Sequence, residues 1–89
     1  MNTHYYDSLV ETILSLSTKK DVKDFLDGIL TPKERDEIPV RLQIVKLLKK
    51  GIPQHEIAST LGVGVATVTR GSKEIAKGNF SHVTPSGWR

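Results

Sequence analysis

The residues best equipped for chemistry crowd into one stretch, Gln54 to Ser72, where amides, hydroxyls and one guanidinium recur at helical spacing. Ile57, Ala58 and Leu61 give its first half one apolar helical face. Gly62 and Gly64 then break the period, as a tight reversal with left-handed backbone requires. Val65 and Val68 place a second helix's inner face, leaving Ala66, Thr67, Thr69 and Arg70 as small or hydrogen-bonding groups. Such a surface can enter a DNA groove and touch base edges. The small Ala58 lets the two helices approach closely. The pattern is a helix-turn-helix, and its chemistry is recognition. The chain is not read as an enzyme: His4, His55 and His82 are scattered without metal-ligand spacing, and no nucleophile triad, paired-carboxylate or phosphate-loop signature is present.

With 89 residues the chain makes one small domain, burying about 60–65% of its unfolded surface if it folds alone. Chains this small often complete their core with a partner subunit. No cysteine supplies a disulfide or a thiolate metal site, which suits a cytoplasmic setting. No apolar run approaches the roughly 18–20 residues of a membrane span, and no secretory signal opens the sequence, so no membrane partner is expected. Residues 1–37 carry five Lys/Arg against eight Asp/Glu, whereas residues 38–89 carry eight against two. The basic half contains the helix-turn-helix, as phosphate binding demands.

Several helices must position that unit. Met1 to His4 reads as a frayed start. From Tyr5 to Leu16, the residues Tyr6, Leu9, Val10, Ile13, Leu14 and Leu16 describe an amphipathic helix. Thr18 can cap a second helix, about Lys19 to Asp27, with Asp21 in its first turn, Val22, Phe25 and Leu26 inward, and Gly28 as its stop. Thr31-Pro32 opens a third helix, and Glu34 can close a capping box with Thr31. This helix runs to about Lys50 with Ile38, Leu42, Ile44, Val45, Leu47 and Leu48 apolar. Pro39 predicts a kink or short break near Glu37. Gly51 ends the helix, with Lys49 and Lys50 complementing its dipole. The fifth helix continues to Lys77 before Gly78. The tail, Asn79 to Arg89, reads as a loop or arm in which Phe80 and Trp88 are suited to docking on the body or on a partner.

Four segments carry a family resemblance: Leu30-Thr-Pro-Lys-Glu-Arg-Asp-Glu-Ile38, Arg41-Leu-Gln-Ile-Val45, Gln54-His-Glu-Ile57 and Val65-Ala-Thr-Val-Thr-Arg-Gly-Ser72. In order and spacing they resemble the tryptophan operon repressor family over roughly residues 25–77, with one residue fewer between Gly51 and Gln54. The resemblance implies an all-α fold of about five helices, a Trp-repressor-like bundle that forms an intertwined homodimer. Residues 1–78 would be the single DNA-binding domain, with 1–30 as dimerisation helices, 31–51 as the central helix and 54–77 as the helix-turn-helix. Residues 79–89 would be the tail. A two-fold dimer sets its recognition helices about 34 Å apart and calls for a near-palindromic operator in double-stranded DNA.

The family's sites carry over residue by residue. For a corepressor, L-tryptophan or an indole analogue, Arg41 matches the arginine against one face of the ring. Arg70 matches the one that completes the sandwich and meets the carboxylate. Guanidinium planes suit both tasks. Leu30 and Thr31 match the segment given by the other subunit, and Ile44, Val45, Thr67 and Gly71 match the remaining walls. Glu74 stands where the family has a small serine that receives the ligand's amino group. It can pair with an ammonium, or fill the space and bridge to Arg70. Gly28 replaces a bulkier apolar pocket residue. For DNA, Val65, Ala66, Thr69 and Arg70 match the recognition-helix tip, Gln54 and His55 match the start of the preceding helix, and Lys73 and Lys77 extend the basic side. His55 stands for an arginine and Ala58 for a lysine, and the family's sixth helix has no counterpart.

The function expected is a sequence-specific transcriptional repressor controlled by a small aromatic effector. Two alternatives are a regulator of the same fold that does not bind tryptophan, and a protein-interaction module using the Phe80–Trp88 tail.

Overall fold

The computed structural model describes residues 3–86; Trp88 of the expected docking tail lies outside the described residues. Among those residues five helices form and no strand does: α1 (Thr3–Ser15), α2 (Lys19–Ile29), α3 (Pro32–Lys49), α4 (Gln54–Leu61) and α5 (Val65–Ala76). The chain divides into two compact units, with the boundary between Arg35 and Asp36. That boundary lies inside α3.

In the first unit α1 begins at Thr3, so Thr3 and His4 are helical and not frayed. Nothing before Tyr5 breaks a helix, and both residues have ordinary helix propensity. Thr18 caps α2 from an extended backbone, its hydroxyl accepting the Asp21 amide at 3.0 Å. Such a cap stabilises a helix by about 1 kcal/mol. Gly28 does not stop α2, which runs on to Ile29. The residues beyond Ile29 set its end. Leu30 leaves helical geometry, and Thr31 must serve as the next cap, directly before Pro32. There the capping box is reciprocal: Thr31 N donates to Glu34 Oε1 at 2.8 Å and Glu34 N to Thr31 Oγ1 at 3.2 Å. No residue of α1 or α2 is buried.

The helix α3 continues through Pro39, so of the kink or short break expected near Glu37 the break is not found. Pro39 removes the donor for the Arg35 carbonyl, but both residues are exposed and water can serve that carbonyl. In the second unit the buried face of α3 is narrower than the pattern predicts. Ile44, Val45 and Leu47 are buried, whereas Ile38 and Leu42 are exposed. Ile44, Leu47, Ile52, Ile57, Ala58 and Val68 form one core, with Val40, Leu48, Leu61 and Val63 against it. Ile57 and Ala58 join from α4, and Val68 from α5. Val65, expected on the inner face, is exposed because it opens α5 beyond the reach of that core.

The reversal between α4 and α5 uses one left-handed glycine, not two. Gly62 caps α4 at φ +69, whereas Gly64 caps α5 from an extended φ of −72. Val63 N donates back to Ala58 O at 3.0 Å and completes the turn. This turn fixes how α5 crosses the core.

Candidate functional site

Because Val68 is the buried anchor of α5, the residues around it on the helix face three ways. Toward α3, Gly71 brings the helices together. A methyl added there would meet Ile44 Cγ2 at 3.2 Å and Leu48 Cδ1 at 3.4 Å. Outward, Arg70, Lys73 and Lys77 follow at i, i+3 and i+7, all exposed and aligned on one face. At the helix start Val65 and Ala66 are exposed beside them. The link to α4 is a side-chain bond: Thr69 Oγ1 donates to Gln54 Oε1 at 2.8 Å. Gln54 and His55 open α4, whose N-terminus has no side-chain cap, so its first amides keep the partial positive charge that favours phosphate. All eight DNA-reading candidates therefore belong to the second unit, six of them exposed and the Gln54–Thr69 pair half-buried.

Between α3 and α5 lies a cavity of about 100 Å³ lined by Arg41, Ile44, Val45, Thr67, Arg70, Gly71, Glu74 and Phe80. Seven of the nine ligand-binding candidates meet there. Leu30 and Thr31 belong to the first unit, where Thr31 is engaged as the α3 cap. A shallower recess of about 410 Å³ shares Arg41 and Thr67 with the cavity and adds Asp36, Glu37, Val40, Val63 and Gly64. Arg41 reaches Glu37 at 3.8 Å across the exposed surface, a pairing that contributes little in water.

Of the two roles expected for Glu74, pairing with a ligand's ammonium or bridging to Arg70, the bridge is not formed. Its carboxylate accepts from Asn79 Nδ2 at 2.7 Å and from Lys77 Nζ at 3.2 Å. The Asn79 bond first, then Lys77, and last the field of Arg70, hold its carboxyl below the ordinary glutamate value. Glu74 is therefore a charged, already partnered wall of the cavity.

Phe80 is the cavity residue that periodicity did not assign. Gly78, at φ +86, turns the chain after α5, and Asn79 N donates to Glu74 O at 3.3 Å. The chain then passes over the end of α3, where the Lys49 ammonium donates to the carbonyls of Phe80 and Val83, the latter at 2.8 Å. The only sequence signal was an aromatic residue shortly after a helix-ending glycine. Lys49 reads from sequence as a partner of its own helix dipole.

Among the described residues no helix is long and apolar enough to cross a membrane, and no group of three metal-ligating side chains is assembled. A model of the Trp repressor protein family matches residues 4–84. The Trp operon repressor homolog of Actinobacillus succinogenes is 42% identical over 72 residues, covering 80% of this chain and 71% of that relative. The homolog of the same name in Mannheimia succiniciproducens is 44% identical with the same coverage, and that of Pasteurella multocida is 40% identical over 75 residues, 83% and 74% of the two chains. No solved structure matches significantly.

Proposed function

The chain belongs to the Trp repressor family, and from that premise we propose that it is a cytoplasmic, homodimeric repressor that binds a near-palindromic operator under control of L-tryptophan or a related indole. Membership places it among transcription regulators and not among enzymes. The observation that carries the reading is that α5 is shared. Thr67, Arg70, Gly71 and Glu74 line the cavity, while Val65, Ala66, Lys73 and Lys77 continue the exposed basic face. A ligand seated under α5 shifts the angle at which that face meets DNA, and the two binding events are coupled through helix position.

The proposed roles rest on placement. Thr69, Arg70, Ala66 and Val65 read base edges; Gln54, His55, Lys73 and Lys77 hold phosphates. Arg41 and Arg70 sandwich the aromatic ring over Ile44, Val45, Thr67 and Gly71. Glu74 receives an ammonium, and Leu30 and Thr31 of a second copy complete the wall. Dimerisation is supported by the first unit. Tyr6, Ile13 and Leu14 on α1 and Leu26 and Ile29 on α2 remain 40–79% exposed in a single chain. A second copy that covers them supplies the core this unit lacks.

The test is selection of bound DNA from a random pool with and without L-tryptophan, followed by titration of the selected site. Wild type should bind more tightly with the ligand, and Arg70→Ala should lose ligand and operator binding together. Retained ligand affinity in Arg70→Ala would refute the shared wall. A second reading, a regulator of this fold that does not take tryptophan, is favoured by the cavity's size. At about 100 Å³ it is smaller than the roughly 150 Å³ cavity that seats benzene.

A further inference from the structure

We infer that the segment Gly78–Val83 is a latch over the cavity, with Phe80 as the residue that sets the size of effector admitted and Lys49 as the residue that positions it. The inference rests on reading the cavity as the effector site.

Three observations carry it. Phe80 is itself a wall of the cavity, beside the two guanidiniums that would stack an aromatic ligand. Beyond the turn that Gly78 N and Asn79 N make back to Ile75 O and Glu74 O, the segment is held by few contacts: one ammonium on the carbonyls of Phe80 and Val83, Asn79 on Glu74, and Phe80 against the cavity. Each is a modest net contribution that ligand binding can exchange. With Phe80 in place the cleft holds about 100 Å³, less than the roughly 150 Å³ cavity that seats benzene, so Phe80 takes up room that an indole would use. Phe80 therefore competes with the ring of the effector. Ligands that fit beneath it bind the closed form, and larger ones bind only the released form. Asn79 and the effector's ammonium likewise compete for Glu74, so release of the latch frees the carboxylate that receives the ligand.

A latch closed in about nine-tenths of molecules weakens the affinity for a bulky ligand about tenfold. The chain has no cysteine, so a single introduced thiol reports on the cavity without any ligand. Val45, a buried cavity wall at 2% exposure, is the position to use. In Val45→Cys, alkylation by iodoacetamide should be slow. It should accelerate about tenfold when Phe80→Ala or Lys49→Ala is added, with the helical circular dichroism unchanged. Rates unaffected by both additions would overturn the latch. In calorimetry, Phe80→Ala should bind L-tryptophan about tenfold more tightly than the full wild-type chain does, and equal affinities would also overturn it. If neither version binds any indole, the effector reading itself falls. The alkylation rates then still decide whether the segment closes the cavity.

Discussion

Glu74 lines the cavity between α3 and α5, and its chemistry depends on three neighbours. Asn79 and Lys77 hold the carboxylate by hydrogen bonds, and Arg70 adds a weaker attraction. Its folded-state value lies below the ordinary one, so the pairing contributes stability that is present above the ordinary glutamate value and is lost as pH falls through the lowered value. Wild type should therefore exceed Glu74→Gln in urea stability near pH 7, with the gap closing as pH falls through the lowered value. A gap that stays constant across that range would mean the observed partners do not select the charged form. Lys49 and Phe80 make the same point at the residue scale. A lysine that local reasoning assigns to its own helix end in fact holds a distant segment by its carbonyls.

The turn that delivers α5 depends on Gly62 more than on Gly64. A side chain at Gly62 would have to adopt φ +69, whereas nothing crowds it otherwise. Gly62→Ala should cost about 1–2 kcal/mol in urea unfolding. Gly64→Ser should be neutral or stabilising by about 0.5 kcal/mol, because an extended cap accepts a serine hydroxyl well. Equal losses at the two positions would show that the reversal is held by some other feature. Because α5 carries both the cavity wall and the basic face, a distorted turn should also weaken operator binding.

Across the whole molecule, the two units differ in what they can do alone. The second has its own core of residues from α3, α4 and α5. The first has capped helices but no buried residue. Exposed apolar surface of that extent marks an interaction face, the one that the proposed dimer would bury. Sedimentation should find a dimer at micromolar concentration, with a Tm that rises with concentration. Leu14→Glu, which places a charge at the most exposed leucine of α1 (79% exposed), should dissociate it and abolish operator binding. A wild-type chain that sediments as a monomer would refute the proposed assembly.

Local signals in the sequence by itself determined five helices, two of their caps and the helix-turn-helix, whereas most of the cavity lining came through the family resemblance. Each of these signals spans a few positions: Thr18 with Asp21, Thr31 with Glu34, an apolar residue every three or four. Tertiary structure alone decided the rest. It left Val65 outside the core and, by the turn after Gly78, brought Asn79 to Glu74. It also brought Lys49 to carbonyls 31 and 34 residues away. Backbone preferences and capping act over one helical turn and leave a readable local trace. Which ammonium meets which carbonyl across the fold depends on helix packing, and no local pattern encodes it.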